Sequence, residues 1–294
     1  PSIYPKVKFF FIYHKPDINV CHKLYDVLRN GILTSDRTRT ISPSLSSCIK
    51  QPFTTDKNGS IRFENINTAL EEIKKQLEGK LFEKDTQYFA IYISPISKDD
   101  TDNSNHDLYN QLKELLLVNN ILSQVIYRER PHSNNFRYHL PNIAIAILGK
   151  LGGIPWQIYN ENPKKELVVG VSAYKFNNIK ERYVGCAVSF DSNGITKRLD
   201  GHKSKDIYGI MASIRRALMQ FVKEEGEIDR LVIHYYKDIS KKEAKPITEM
   251  LHHLNLKIPV IIVTINKTES DDILMFDETQ DGLMPLSGTI LKIH

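Results

Sequence analysis

Hydrophobic and polar positions along the first half of the chain follow the periods of strands and helices in turn. Short apolar runs predict buried strands, and apolar residues that recur every three or four positions predict amphipathic helices. In chain order we predict a strand at 7–14, a helix at 18–31, a strand at 60–65, a helix at 67–80, a strand at 87–95, a polar loop at 98–107, a helix at 108–120, a strand at 123–127 and an apolar helix at 140–150. Such β-α-β units imply a parallel, Rossmann-like sheet, whose ligands lie outside the carboxyl ends of the strands. No glycine-rich dinucleotide motif follows these strands, which argues against a nicotinamide or flavin cofactor.

The pattern changes after residue 156. Here we predict three antiparallel strands and then an alternation of helices and strands, at 166–176, 182–194, 195–201, 206–226 (helix), 230–236, 240–255 (helix) and 258–267. That order is expected of a ribonuclease-H-like α/β core. We therefore predict two α/β domains, 1–150 and 151–294.

Composition narrows the class of protein. The 294 residues are 41% hydrophobic and 26% charged, which is typical of a soluble globular protein. A net charge of +5 permits a polyanionic partner without requiring one. The three cysteines, Cys21, Cys48 and Cys186, lie far apart, which favours a reducing, cytoplasmic compartment. The apolar run at 9–13 is too short to span a membrane and lacks the layout of a signal peptide.

Lys150 ends the apolar helix, just before Gly152, Gly153 and Pro155. One interpretation is a lysine that caps the helix and extends into solvent. The other is a buried lysine that meets an anionic ligand, because an unpaired buried ammonium is costly.

Three further polar residues precede Lys150 along the chain. Tyr109 and Lys113 are four residues apart and share one helix face, and Gln124 opens the next strand. Each has an ordinary reading as a surface residue. Together with Lys150 they would supply ammonium charges and directional donors to a phosphate, assisted by a helix N-terminus. The glutamine oxygen could instead face a hard cation that bridges phosphate oxygens.

These residues carry a family resemblance. The Tyr-x-x-x-Lys of 109–113, the glutamine in ILSQVI and the lysine in PNIAIAILGKLGGIPW resemble the 5′-phosphate pocket of the MID domain of Argonaute and Piwi proteins. The remainder of the chain resembles a PIWI domain, in a layout similar to the short prokaryotic Argonautes, which have no PAZ region. In that family PIWI continues further, so we expect the chain to be incomplete at its C-terminus. The resemblance implies that the following residues hold the 5′-phosphate of a guide strand: Tyr109, Lys113, Gln124, Lys150 and, on the same helix as Lys150, Asn142. It also implies a Mg²⁺ ion, contacted by Gln124, that bridges guide phosphates.

Ribonuclease-H-type cleavage requires carboxylates that hold two metal ions. Ser172 stands where slicing Argonautes carry their first aspartate, and Lys237 stands near the next expected position, with Asp238 displaced into the loop. The resemblance therefore implies an inactive PIWI domain. Asp191, at a hairpin turn, is read as a turn residue.

We accordingly predict a cytoplasmic, guide-dependent module that recognises a complementary target without cutting it, with an RNA guide and a DNA target preferred. The resemblance implies a partner with an APAZ domain and a TIR, sirtuin-like or nuclease effector, acting in prokaryotic defence, and no membrane partner. Basic residues proposed to contact the duplex backbone are Lys175, Lys180, Arg182, Lys197, Arg198, Lys203 and Lys205. One alternative is an active nuclease that uses Asp191, Asp229 or Asp238. A further alternative is an α/β protein that binds mononucleotides without a guide.

Overall fold

The computed structural model describes residues 3–34, 39–56, 59–97, 103–133, 135–156, 164–175, 182–191, 196–203, 207–265, 276–286 and 289–290. Contacts between Cα atoms divide the chain into two compact units, Pro1–Trp156 and Gln157–His294. The sequence places the boundary near 151. None of the helices described combines the length and the apolar character that a bilayer crossing needs.

The first unit is built on a parallel sheet. Its elements in chain order are β1 (Val7–His14), α1 (Ile18–Asn30), β2 (Ile32–Leu33), β3 (Thr40–Ser42), α2 (Leu45–Ile49), β4 (Ile61–Phe63), α3 (Ala69–Glu78), β5 (Gln87–Ser94), α4 (Asn103–Val118), β6 (Leu122–Tyr127) and α5 (Phe136–Lys150). The four main strands are ordered β4-β1-β5-β6 and all pair in parallel. The predicted Rossmann-like architecture is confirmed.

Both faces of this sheet are buried. Phe9, Phe89 and Ile91 pack against α1, α2 and α5 on one face, and Phe10 and Ala90 pack against α3 and α4 on the other. A strand that is buried on both sides reads as a continuous apolar run, which is why β1 and β5 were predictable from the sequence.

One prediction in this unit was wrong, and three short elements were not predicted. Residues 103–107, predicted as part of a polar loop, form the first turns of α4. A polar first turn shows no apolar period, so the pattern revealed the helix only from residue 108. The sequence reading also missed the short elements β2, β3 and α2, since two to five residues are too few to establish a period.

Side chains cover both edges of this sheet. At the β4 edge, the Gln76 amide donates to the Arg62 carbonyl (2.7 Å) and the Gln76 side-chain oxygen accepts from the Arg62 backbone N–H (3.3 Å). At the β6 edge, the carbonyls of Ser123 and Val125 accept hydrogen bonds from the side chains of Lys150 and Gln124. Exposed edge strands are sites of unwanted pairing, and these contacts occupy them.

The second unit has a mixed sheet. Its elements are β7 (Glu166–Lys175), β8 (Arg182–Phe190), β9 (Thr196–Lys203), α6 (Ile207–Glu225), β10 (Arg230–Tyr235), α7 (Lys241–His253) and β11 (Val260–Thr264). The strand order is β11-β10-β7-β8-β9, with β7, β8 and β9 antiparallel and β10 and β11 parallel to β7. This is the predicted ribonuclease-H-like order of three antiparallel strands followed by two parallel strands.

Helices α6 and α7 pack on one face of this sheet. Val169, Ile214 and Leu231 are completely buried between them and the strands, or nearly so. The opposite face is open among the residues described, because Ser172 is exposed and Ile261 and Val263 are each 39% exposed. Side chains on this second face are therefore accessible at the ends of β7 and β10.

Candidate nucleic-acid interface

Lys150 lies at the last position of α5 and reaches back to β6. The helix ends there because the backbone N–H of Gly153 bonds to the Leu148 carbonyl (2.9 Å) and Gly152 has a φ of 72°, a left-handed conformation that suits glycine. The Lys150 ammonium donates to the Ser123 carbonyl (2.6 Å) and to the side-chain oxygen of Gln124 (2.8 Å). The lysine is therefore neither a simple helix cap nor the buried residue expected from the sequence: the residue is exposed and its ammonium is held by β6.

Tyr109 and Lys113 project from α4 toward the same place. The Lys113 ammonium lies 6.0 Å from the centre of the Tyr109 ring. Both residues line a small cleft between α4 and the sheet, together with Tyr92 and Ser123. Since Lys150 bonds to the Ser123 carbonyl, the cleft and the lysine meet at the start of β6.

Lys113 and Lys150 are close enough to interact electrostatically. Although Lys150 as a whole is exposed, partial desolvation of its ammonium lowers its pKa to about 8, and the positive charge of Lys113 contributes to this shift. An ammonium with a depressed pKa is under-compensated in the free protein. An anion placed between these lysines would relieve both causes, because it would supply the missing opposite charge.

The position of the cluster differs from the prediction in two respects. Gln124 is the third residue of β6, and Lys150 and Lys113 lie in the last halves of their helices, so the cluster is near the amino end of an edge strand and not outside the carboxyl ends. It also lies toward helix C-termini, whose dipoles favour lysine, and not at a helix N-terminus. The charge for an anion therefore comes from the two ammonium groups.

Asn142 is not brought into the cluster. It is exposed on α5, eight residues before Lys150, and helical geometry separates the two Cα atoms by about 12 Å along the axis. The structure thus gathers Tyr109, Lys113, Gln124 and Lys150 and leaves Asn142 about two turns away.

A model of the Piwi domain matches residues 101–293. The chain belongs to the Piwi family. A Piwi protein of Archaeoglobus fulgidus is 22% identical over 204 residues, which are 64% of this chain and 47% of that protein. The chain thus spans about half the length of this curated relative.

Solved Argonaute structures share the fold of this Piwi chain. The Argonaute of Aquifex aeolicus superposes with a TM-score of 0.54 at 16% identity, over 94% of this chain and 38% of that one. The Argonaute of Marinitoga piezophila, solved with a 5′-OH guide RNA and target DNA, gives a TM-score of 0.52 at 14% identity, over 92% of this chain and 41% of that one. At such identities the likeness shows the fold alone.

In the second unit of this Piwi chain, the predicted catalytic positions lie at the carboxyl ends of β7 and β10. Tyr235 pairs with Val171, so Ser172 lies beside Tyr236 at that end. Lys237 follows and forms an ion pair with Glu243 of α7 (2.9 Å). The sequence reading treated Lys237 as a bare positive charge, and the structure corrects this.

Glu243 was not singled out from the sequence. Its oxygens accept hydrogen bonds from the Ser240 backbone N–H (3.0 Å), the Ser240 hydroxyl (2.7 Å), the Tyr235 hydroxyl (3.1 Å) and Lys237. Burial opposes ionisation of Glu243, but these hydrogen bonds outweigh it and lower its pKa to about 2. The spacing Ser-x-x-Glu is a readable capping box, so the sequence held a signal for its structural role although not for its partner Lys237.

The carboxylates of the nuclease alternative are not brought together. Asp229 precedes β10 and accepts from the Lys165 backbone N–H (2.8 Å), whereas Asp238 follows β10 at the other end of the strand. Asp191 follows Phe190, which pairs with Val168 near the start of β7. Within the described part of the chain, no group of three His, Cys, Asp or Glu residues could hold a metal ion.

The predicted basic residues occupy two places. Lys175 pairs with Arg182, and Lys203 pairs with Tyr183 beside Arg182, so these three share one end of the antiparallel strands. Lys197 and Arg198 lie at the opposite end of β9, about 17–20 Å from Lys203 at roughly 3.4 Å per residue. Lys180 and Lys205 lie outside the described residues. The five described members of the predicted set therefore lie at two ends of the strands, and their contact with a duplex stays a prediction.

Proposed function

We propose that this Piwi-family chain is a guide-binding module that holds the 5′-phosphate of a guide strand and recognises a complementary target without cleaving it. The proposal rests on two observations. Lys150, which bonds to Gln124 and to the Ser123 carbonyl, meets at Ser123 the cleft that Tyr109 and Lys113 line. Desolvation and the charge of Lys113 together lower the pKa of Lys150 to about 8. The family membership supports a nucleic-acid ligand, and the depressed pKa of Lys150 beside the charge of Lys113 favours its most highly charged end.

The test compares guides with a 5′-phosphate and a 5′-hydroxyl. Lys113→Ala combined with Lys150→Ala should abolish the preference for the phosphorylated guide, because each charged contact is worth roughly 1.5–3 kcal/mol. A charge-matched control is Lys74→Ala with Lys75→Ala, two exposed lysines of α3. The dissociation constants for the two guides are measured for all three proteins.

Equal affinity of the unaltered protein for the two guides would refute the phosphate pocket. A preference for the hydroxyl end would refute it too, and the guide in the M. piezophila complex shows that such ends occur in a protein of this fold. Comparable losses in the α3 control would point to general electrostatic attraction.

The family resemblance predicts a bound Mg²⁺ ion. The residues of the cluster alone do not form a suitable cation site. The Gln124 oxygen already accepts from the Lys150 ammonium (2.8 Å), and the neighbouring charges are the positive ones of Lys113 and Lys150. A cation here would be repelled in the absence of guide phosphates. Guide affinity measured with and without a chelator tests the prediction, and an unchanged affinity would exclude a bridging ion.

We further propose a guide RNA with a DNA target, since the M. piezophila Argonaute was solved with that pair. Ser172 and Lys237, in place of carboxylates, support binding without cleavage. An APAZ-domain partner with an effector, in prokaryotic defence, is part of the proposal through resemblance to short Argonautes. Sequencing of the nucleic acid that copurifies, with its length and 5′ chemistry, tests the guide; co-purification of an effector protein tests the partner.

A further inference from the structure

The carboxyl ends of β7 and β10 form the ligand-binding edge expected of an open α/β sheet. After β9 the chain crosses through α6 to β10, on the other side of β7, so consecutive connections diverge at these two strands. Ligands of such sheets lie in the crevice at this point. Ser172, Tyr236 and Lys237 are among the described residues that lie there.

Lys237 is held in a fixed position at this edge. Its ammonium donates to Glu243 (2.9 Å) and lies 5.9 Å from the centre of the Tyr236 ring. The hydrogen bond to Glu243 raises the pKa of Lys237, so the charge persists at every physiological pH. An ammonium has three N–H donors, and almost half of this side chain (47%) is exposed.

Glu243 is unsuited to bind a metal ion, because each of its two carboxylate oxygens already accepts two hydrogen bonds. It acts as a positioning residue for Lys237. By strand register, Lys175, Arg182 and Lys203 lie at the same edge of the sheet. The exposed Asp238 also lies at this edge and carries the opposite charge. The described charged side chains at this edge are Lys237, its partner Glu243 and Asp238, and the register places three further basic residues in the strands beside them.

We propose that Lys237 binds a phosphodiester of the target strand at this edge and supplies the positive charge that a metal ion would otherwise bring. The inference rests on the proposed function for the identity of the strand, but its chemistry depends only on the second unit. Target binding at this edge is then independent of divalent metal.

The test uses a preformed RNA–DNA duplex without a 5′-phosphate, so that the first unit's pocket does not contribute. Lys237→Ala should weaken duplex binding about tenfold, the loss of one charged contact of about 1.4 kcal/mol. It should also reduce the log–log salt slope by about 0.7–0.9, the value for one phosphate contact. Lys237→Arg should retain most of the affinity. A chelator should leave binding of the unaltered protein unchanged.

Glu243→Gln separates a binding role from a structural one. Glutamine preserves the capping box but removes the ion pair that positions Lys237, so duplex affinity should fall by less than it does on Lys237→Ala, because the ammonium itself remains. The control is Lys245→Ala on α7, whose exposed lysine pairs with Glu249 (3.5 Å). An affinity of Lys237→Ala within twofold of this control, or loss of binding on chelation, would overturn the inference. Failure of guide loading with intact duplex binding would instead refute the proposed function alone.

Discussion

Two lysines of this chain have pKa values shifted in opposite directions. Burial and Lys113 lower the pKa of Lys150 to about 8, whereas the hydrogen bond to Glu243 raises that of Lys237. Among the described residues no carboxylate forms an ion pair with Lys150, whereas Lys237 pairs with Glu243. We expect an anion to change the protonation of Lys150 and to leave that of Lys237 unaffected.

Guide binding should therefore depend on pH through Lys150. A lysine with a pKa of about 8 is charged at pH 7 and largely neutral at pH 9.5, so the preference for a 5′-phosphate should fall as the pH rises through 8. Lys150→Arg, which stays charged, should preserve the preference and remove its pH dependence. Dissociation constants for both guides between pH 6.5 and 9.5 measure the effect. A flat profile in the unaltered protein would contradict it.

At the scale of elements, the end of α5 decides where Lys150 lies. Gly152 has a φ of 72°, and a Cβ there would come within 2.6 Å of Ile3. Gly149, inside the helix, has no atom within 4 Å of such a Cβ. Position 152 therefore requires glycine, whereas position 149, three residues earlier, has room for a larger side chain.

These glycines give a matched pair of stability variants. Gly152→Ala should lower the free energy of unfolding by about 1–2 kcal/mol, because the left-handed conformation is costly for alanine. Gly149→Ala should raise it by about 0.5–1 kcal/mol, since alanine loses less backbone entropy in a helix. Urea unfolding followed by circular dichroism measures both. Changes of the same sign would mean that the helix does not end as described.

The two ends of the β7-β8-β9 ribbon should also differ in function. Lys175→Glu with Arg182→Glu reverses charge at the edge that holds Lys237, and Lys197→Glu with Arg198→Glu reverses it at the far end. We expect the first pair to weaken duplex binding and reduce its salt slope by about 1.4–1.8, two phosphate contacts, and the second to change neither. Equal effects of the two pairs would indicate non-specific attraction.

Much of the fold could be predicted because its main strands are continuous apolar runs. The predicted bounds of β1 were those observed, 7–14, and those of β5 differed by one residue. Boundaries failed where side chains are polar, as at Asn103. The meeting of Lys113 with Lys150 followed from resemblance and not from spacing, because contacts between elements depend on packing that a period does not encode. The ion pair of Lys237 with Glu243 could not be predicted for the same reason.

At the scale of the whole molecule, the two units present lysine side chains for anion binding in different ways. The first unit places Lys113 near Lys150, whose pKa is lowered to about 8, and the second fixes one ammonium by an ion pair at a sheet edge. The first device suits a terminal phosphate of high charge. The second suits a phosphodiester, which carries a single charge.

The complete guide–target complex should remain uncut. Because Ser172 and Lys237 offer no carboxylate, a labelled target incubated with a matched guide and Mg²⁺ or Mn²⁺ should keep its full length. Denaturing gel electrophoresis detects any product. Metal-dependent products that disappear on Asp191→Asn, Asp229→Asn or Asp238→Asn would establish the nuclease alternative.

The hydrogen bond from Lys150 to the Ser123 carbonyl places two demands on one side chain. Substitution of Lys150 removes a contact to the anion. It also leaves the Ser123 carbonyl on the edge strand β6 without this hydrogen bond, so loss of guide binding would be accompanied by a tendency to self-associate. Among the described contacts, Lys113 makes no hydrogen bond to the backbone of β6. It is therefore the better residue for abolishing binding in a cell, where a protein that merely aggregates could be mistaken for one that cannot recognise its ligand.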